Sequence, residues 1–275
     1  MRFEFKDGHF EFSSGHCILF GILNVTPDSF SDGGRYSTVE TAIEHALAFE
    51  RDGADVVDIG GESTRPGAPT VFTKEEIRRV VPVVRLLKQK LRIPISVDTT
   101  KAAVAEAAIT EGAVIVNDVS GMTADPRMGS VVASAKAGVI LMHRRGTPAT
   151  MQNLCRYDNV IQDVRRELQQ CLNAALDAGV EPDRIALDPG IGFSKTREQN
   201  LELLCNLKTF SSFNRPIMIG VSRKSFLGGE VQARGPATLA AEVQSYRQGV
   251  RMIRTHDVAA THKALANLRA ISSRS

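Results

Sequence analysis

The 275-residue chain has no tryptophan and four cysteines, which are scattered and form no Cys-x-x-Cys pair. Metal binding through thiolates is therefore not expected, and Cys17 and Cys171 lie in apolar patterns typical of buried thiols. No apolar run is long enough to cross a bilayer, and the first residues, which alternate and carry charge, are unlike a signal peptide. We therefore expect a cytoplasmic protein without a membrane partner.

A block of basic residues is also missing from the chain. The net charge is +3 and charged residues make up 24% of the sequence, so we expect a surface of mixed charge. Such a composition does not predict a nucleic-acid partner. The small positive excess would suit an anionic small-molecule substrate.

The chain also lacks a Gly-x-Gly-x-x-Gly turn. The alternative fold, a doubly wound dinucleotide-binding sheet, would be expected to carry that turn after its first strand. The chain instead repeats one unit eight times: a short apolar strand, a polar end residue, a loop and an amphipathic helix. The strands are predicted to end at Asn24, Asp58, Asp98, Asn117, His143, Asp188, Ser222 and Arg254. We therefore predict one α/β domain over residues 1–275, a (β/α)8 TIM barrel over 17–271 with an N-terminal β-hairpin within 1–14.

All eight predicted strand ends are polar, and barrel enzymes carry their chemistry at the C-terminal ends of the strands. Asp98, Asn117 and Asp188 are expected to converge in the barrel mouth. Carboxylates accept hydrogen bonds and an amide both donates and accepts, so this trio suits a flat, nitrogen-rich heterocycle. The alternative is that each carboxylate caps the helix that follows it.

Residues after the seventh and eighth strands admit more than one role. Lys224 is a ligand contact, a solvated surface lysine, or the Schiff-base lysine of an aldolase-like barrel. Arg254 and His256 lie where barrels often bind phosphate, although Arg254 could instead pair with a neighbouring carboxylate. Asp257 is predicted to be the N-cap of the last helix.

The first strand is followed by a long polar loop, which suggests a binding loop or lid because strand-to-helix connections are usually short. Asn24 begins this loop. Its amide oxygen could ligate Mg²⁺, although a lone asparagine at such a place is more often a turn former.

Two segments resemble the signatures of the dihydropteroate synthases: GILNVTPDSFSDGG (21–34) and DIGGESTRPGA (58–68). The segments VDTTK, IVNDVSG, LMH, LDPGIGF, SRKSFLG and RTHD extend the match from about Cys17 to Val258. The resemblance implies a homodimeric, Mg²⁺-dependent barrel transferase of folate biosynthesis. Its substrates would be (7,8-dihydropterin-6-yl)methyl diphosphate and 4-aminobenzoate, and its products 7,8-dihydropteroate and diphosphate. A pterin-binding protein without synthase activity and a pterin-dependent methyltransferase are the alternatives within this resemblance.

The resemblance also assigns roles to residues. For the pterin it implies Asp98, Asn117, Asp188, Lys224 and Arg254. For the diphosphate it implies Asn24, which also holds Mg²⁺, with Thr64, Arg65, Arg254 and His256. For 4-aminobenzoate it implies Phe30, Thr64, Pro66, Phe193 and Ser222, with Asp32 and Arg65 in the closing loops. Catalysis would rest on Asp98, Lys224, Arg254 and His256. One departure is Arg144-Arg145-Gly146, where the family more often has Met-x-Gly.

Overall fold

The computed structural model describes residues 1–12, 15–26 and 35–273. A hairpin of β1 (Arg2–Phe5) and β2 (Gly8–Glu11) comes first. The later strands are β3 (Ile18–Asn24), β4 (Val56–Gly60), β5 (Ile95–Asp98), β6 (Ile115–Asp118), β7 (Gly138–Met142), β8 (Ile185–Asp188), β9 (Met218–Ile219) and β10 (Met252–Thr255). The helices are α1 (Arg35–Arg51), α2 (Thr73–Lys88), α3 (Ala102–Thr110), α4 (Met128–Ala135), α5 (Val160–Asp177), α6 (Arg197–Cys205), α7 (Gly235–Arg247) and α8 (Val258–Ser272).

Within the described ranges, strands β3 to β10 form one parallel sheet in the order β8-β7-β6-β5-β4-β3-β10-β9. A parallel bridge between Leu187 and Ile217 joins the two outer strands and closes the sheet into a barrel. Each strand is followed by a helix, which is the connection that parallel neighbours require. The predicted (β/α)8 barrel with an N-terminal hairpin is confirmed.

Successive side chains on each strand point alternately to the helices and to the barrel interior. On β3, Leu19 and Leu23 join the large apolar cluster beneath the helices. Phe20, on the other face, joins a second apolar cluster with Val56 and Ile140. The lower barrel interior is therefore apolar, and polar groups enter it only toward the C-terminal strand ends.

The hairpin closes the N-terminal end of the barrel. Phe3 is completely buried and shares the interior cluster with Ile18, Phe20 and Ile115. A side chain at Gly138 would lie 2.8 Å from the Phe3 ring, so the first residue of β7 leaves room for that ring. The hairpin is thus part of the barrel core.

The helices largely follow the predicted patterns. The buried residues of α5 include Val160, Val164, Leu168, Leu172 and Ala175, whose helical spacing in the sequence predicts one apolar face. Asp257 caps α8 by accepting a hydrogen bond from the Ala260 N–H at 3.0 Å, as predicted. Cys17 is buried as predicted, but Cys171 is only half-buried. No helix in the described ranges is both long enough and apolar enough to span a bilayer.

Some predicted strand ends were wrong by one to three residues. β4 continues past Asp58 to Gly60, while β7 stops just before His143. β9 stops at Ile219, three residues before Ser222. An apolar run locates a strand, but hydrogen bonding to its neighbours decides where it ends.

Phe3→Ala should lower the free energy of unfolding by about 3–5 kcal/mol, because the barrel floor cannot collapse into the space left by the ring. Urea unfolding followed by far-UV circular dichroism measures the loss. Phe72→Ala is the matched control: Phe72 is 87% exposed, and its removal should change stability by less than about 0.5 kcal/mol. Equal losses in the two variants would show that the hairpin is not part of the core.

Candidate active site

Four polar side chains from β4, β5, β6 and β10 meet inside the barrel near the C-terminal strand ends. Arg254 donates from Nε to Asp58 Oδ2 at 2.5 Å and from Nη2 to Asp98 Oδ2 at 2.8 Å. Asn117 donates from Nδ2 to the same Asp58 oxygen at 3.0 Å. The guanidinium therefore bridges two carboxylates that are almost fully buried.

This cluster leaves three acceptors unused. Asp58 Oδ1, Asp98 Oδ1 and Asn117 Oδ1 are buried, and no donor among the described residues reaches them. A buried acceptor without a donor costs about 1–3 kcal/mol. These three oxygens lie on adjacent strands, and a ligand that offers several N–H donors on one edge would satisfy them.

The structure decides between the alternatives for these residues. Asp98 pairs with Arg254 and does not cap a helix; α3 begins after Lys101 without a side-chain cap. Arg254 makes the ion pair with neighbouring carboxylates that sequence reasoning left open. Asp58 completes the cluster, but the sequence analysis predicted no role for it. It lies two residues before the end of β4, so its side chain points to the same side of the sheet as the last position of that strand.

Burial raises the pKa of Asp98 to about 7. Arg254 opposes this rise and the nearby Asp58 charge adds to it. Near neutral pH the Asp98 carboxyl therefore exchanges its proton readily, and a ligand that donates to it would favour the carboxylate.

Asp188 and Lys224 form the opposite wall. Asp188 Oδ1 accepts from the Gly190 N–H at 2.7 Å and so holds the turn after β8, not a helix cap. Lys224 donates to the Ile191 carbonyl, and its Nζ lies 4.1 Å from the centre of the Phe193 ring. Burial lowers the pKa of Lys224 to about 7 while Asp188 opposes the shift. Lys224 is thus not a solvated surface lysine.

His256 and Ser222 lie beside this wall. His256 Nδ1 is 2.9 Å from Ser222 Oγ. The pKa of His256 is lowered to about 3, first by burial and then by the surrounding cationic residues Arg254, Arg223, Arg65 and Lys224. Four cationic side chains therefore act on one neutral imidazole, an arrangement that would favour a bound anion.

Sequence reasoning missed one of these four residues, Arg223. Its backbone is left-handed, with φ of 58°, an uncommon conformation for a residue other than glycine. The Arg223 N–H donates to Thr238 Oγ1 at 3.0 Å, which ties the bend to the start of α7. The only sequence signal was its position next to Lys224.

Asn24 ends β3 and pairs in register with Gly60 on β4. A side chain at Gly60 would lie 3.5 Å from Asn24 Oδ1, so the glycine keeps the space beside that oxygen open. Within the described ranges, no group of three or more His, Cys, Asp or Glu side chains could hold a metal ion. Any Mg²⁺ at Asn24 would need most of its ligands from water and phosphate oxygens, as is usual for this ion.

The second signature loop is anchored at both ends, and in its middle the Gly67 N–H donates to the Pro148 carbonyl at 2.9 Å. Glu62 accepts from the Val71 N–H at 2.9 Å and from Lys101, which also donates to the fully buried Glu76 at 2.5 Å. Between these anchors, Arg65 and Pro66 are exposed and Thr64 is half-buried. The structure does not bring these three residues into hydrogen-bond contact with the interior cluster. Phe30 and Asp32 lie outside the described residues.

The two unusual arginines after β7 have different surroundings. Arg145 pairs with Glu167, and its guanidinium lies 3.9 Å from the centre of the Tyr157 ring, away from the site. Arg144 is half-buried, and its Nε has no acceptor among the described residues. Burial lowers the pKa of Arg144, with the Asp118 and Asp98 charges among those that oppose this shift. Arg144 therefore belongs to the charged rim of the mouth.

Comparison with known proteins identifies the class to which this fold and site belong. A family model described as a pterin binding enzyme matches residues 20–256. The dihydropteroate synthase of Synechocystis is 47% identical over 247 residues, covering 88% of this chain and 86% of the relative. Fold and site thus define a pterin-binding barrel enzyme.

Solved structures narrow this class further. A Xanthomonas albilineans dihydropteroate synthase with 4-aminobenzoic acid superposes with a TM-score of 0.92 at 38% identity, covering 98% of both chains. A complex of the enzyme from that organism with 7,8-dihydropteroate gives 0.88 at 35% identity, covering 99% of both. The chain belongs to the dihydropteroate synthase family. The predicted function, that of a transferase of this family, is confirmed.

Arg254→Met keeps the aliphatic stem of the side chain but removes the charge between Asp58 and Asp98. Two buried carboxylates without a counter-charge should cost about 3–5 kcal/mol of unfolding free energy. The loss should shrink in acid, where the carboxylates bind protons. Urea unfolding at two pH values measures both effects.

The control is Arg85→Met, which removes an exposed ion pair with Glu111 that has two 2.7 Å hydrogen bonds. Its loss should stay below about 1 kcal/mol. If Arg254→Met costs no more than Arg85→Met, the interior ion pair is not the centre of the site.

Proposed function

We propose that this chain joins (7,8-dihydropterin-6-yl)methyl diphosphate to 4-aminobenzoate, releasing 7,8-dihydropteroate and diphosphate. The observation that carries the proposal is the set of three buried acceptors on Asp58, Asp98 and Asn117 without donors among the described residues. A pterin presents an amino group and ring N–H groups along one edge. That edge would satisfy these oxygens, whereas an apolar ligand of the same size would leave them unpaired.

The pterin would lie flat in the mouth between the interior cluster and the opposite wall. Asp98, Asn117 and Asp188 would accept from its donors, and Lys224 would donate to its ring acceptors. Arg254 would contact the ring while it stays fixed by its two carboxylates. Membership of the dihydropteroate synthases displaces the aldolase alternative for Lys224.

The diphosphate would bind beside His256 and its four cationic neighbours. The exposed Arg223 and Arg65 would supply positive charge there, and Lys224 and Arg254 would supply charge from the interior. His256 is neutral before the anion arrives, so it would first act as a hydrogen-bond donor. The anion would offset the four positive charges and raise the pKa of His256 toward its ordinary value.

We propose that Asn24 supplies the protein ligand of a Mg²⁺ ion bound together with the diphosphate. Asn24 lines the same cavity as Arg223 and His256, which supports this assignment. When bound, the ion would neutralise charge that develops on the leaving diphosphate. Thr64 would lie on the same side of the mouth.

The aminobenzoate subsite would use Phe193, Ser222, Pro66 and Thr64. Phe193 is buried against Val119, Met142 and Met151, so its ring offers a fixed apolar wall. Phe30 would complete this subsite, and Asp32 and Arg65 would help to close it. Thr64 and Pro66 lie in the second signature loop, where Pro66 is exposed and Thr64 is half-buried. They would reach the ligand when that loop closes.

The chemistry favours departure of the leaving group before attack. The aromatic amine is a weak nucleophile because its lone pair is delocalised into the ring. The electron-rich dihydropterin can stabilise positive charge on the adjacent carbon. Catalysis would then rest on electrostatic stabilisation of the departing diphosphate by Arg254, His256 and Arg65, and on Asp98 and Lys224 holding the pterin.

We also propose that the protein is a cytoplasmic homodimer. The four free cysteines support a reducing compartment. The dimer rests on the resemblance to the family, and the mass in solution tests it.

The direct test is a two-substrate assay with Mg²⁺ that follows dihydropteroate formation, with a metal chelator as the negative control. Asp188→Asn should keep the fold but lose pterin affinity by about 1–3 kcal/mol or more, because an amide N–H would face a ligand donor. Calorimetry with the pterin measures this loss. Unchanged affinity in Asp188→Asn would remove that residue from the site, and an inactive wild type would overturn the proposed reaction.

Pterin affinity should rise as the pH increases from about 5.5 to about 7 and fall on acidification, by up to about tenfold per pH unit. The reason is that the free protein holds Asp98 with its pKa raised to about 7, whereas the ligand donors need its carboxylate. Asp98→Asn should bind weakly at every pH and lose this dependence. The same slope in wild type and variant would assign the titration to another group.

A further inference from the structure

A fully buried lysine that the proposed mechanism does not use lies beneath the turn after β8. Lys195 is 4% exposed. Its Nζ lies 2.9 Å from the Gly190 carbonyl oxygen, 3.0 Å from the Phe193 carbonyl oxygen and 3.0 Å from His143 Nδ1. Sequence reasoning gave no role to this residue.

The three contacts define the protonation states. An ammonium group has three N–H donors, and each of the three neighbouring atoms can accept one. His143 Nδ1 must then carry its lone pair, so the imidazole proton is on Nε2, which lies 2.9 Å from Glu167 Oε2. A neutral amine could donate to both carbonyls, but its lone pair would then face the lone pair of His143 Nδ1. The geometry therefore favours charged Lys195 beside neutral His143 and ionised Glu167, although burial lowers the pKa of Lys195 to about 7.

The far end of this chain of hydrogen bonds is fixed on the barrel exterior. Glu167 also accepts from Arg145, through Nε at 3.0 Å and through Nη2. Arg145 in turn donates to the Arg156 carbonyl and lies against the Tyr157 ring. Lys195 is thus held by a network that begins on α5 and the loop before it.

The other end of this hydrogen-bond network holds the turn that forms part of the active-site wall. The turn of residues 190–193 lies over Lys195, and its Ile191 carbonyl accepts from Lys224. The turn is tight: Gly190 has a φ of 68°, and a side chain there would collide with the His143 carbonyl. Two lysines therefore hold three carbonyls of one turn, those of Gly190 and Phe193 through Lys195 and that of Ile191 through Lys224.

We propose that Lys195 is a positioning residue, which fixes the 190–193 turn through two carbonyls and thereby sets the places of the Phe193 ring and of Lys224. The inference rests on the proposed function for its kinetic consequences. It assigns the His143–Glu167–Arg145 network to the same task. It also gives Arg145 a part in positioning the wall of the site through Glu167 and His143.

The test is Lys195→Met, which keeps an unbranched apolar stem and removes the three donors. Phe193 and Lys224 lose their support, whereas Asp188 stays anchored on β8. We therefore expect the KM for 4-aminobenzoate to rise on the order of tenfold to a hundredfold, with a smaller change in the affinity for the pterin. Wild-type activity under the same conditions tests the proposed function separately.

Two further variants test the same inference if Lys195→Met folds poorly. Glu167→Gln retains the shape at the far end of the network, and His143→Asn retains an acceptor for Lys195. Each should shift the aminobenzoate KM in the same direction but by less. Leu87→Ala is the control for stability alone, because Leu87 is buried in the last turn of α2, far along the chain from this turn.

A purely structural role would lower the melting temperature of Lys195→Met and leave both substrate constants of the folded fraction unchanged, as in Leu87→Ala. That result in an otherwise active enzyme would overturn the inference. A weakened pterin affinity with an unchanged KM for 4-aminobenzoate would also contradict it, since the place of Phe193 would then not depend on Lys195.

Discussion

The site depends on one buried ion pair, the guanidinium of Arg254 between the carboxylates of Asp58 and Asp98. Charges this deep are tolerated only when they are paired, because burial of an unpaired ion costs several kcal/mol. The pair uses one oxygen of each carboxylate, so the second oxygen of each remains free to accept from a ligand. The same two carboxylates thus pair with Arg254 and leave oxygens that would bind a ligand.

The loops around this cluster are held by a second kind of interaction, in which a lysine ammonium group donates to several acceptors. Lys101 joins Glu62 and Glu76 and so fixes the base of the second signature loop. Lys195 does the same for the turn that carries Phe193. Both lysines hold the backbone from outside the ligand space.

The fold followed from the sequence because each apolar run and its polar end residue are local features. The strand-end residues Asp98, Asn117 and Asp188 reached the barrel mouth as predicted from their position alone. Pairing across the barrel did not follow, since Arg254 and Asp58 are 196 residues apart and nothing local indicates their contact. The charge state of His256 could not be predicted either, because it depends on burial and on four cationic residues that folding brings near it. Lys195 escaped notice because a single lysine in a loop is usually solvated.

The central claim is that three buried oxygens of the interior cluster accept hydrogen bonds from the N–H donors along one edge of a pterin. Calorimetry with a pterin and with its analogue that lacks the 2-amino group tests this claim most directly. The analogue leaves at least one of these oxygens unpaired, so it should bind about 10- to 100-fold more weakly. Equal affinity for the two ligands would mean that the oxygens are not the recognition surface, and the site would have to lie elsewhere in the mouth.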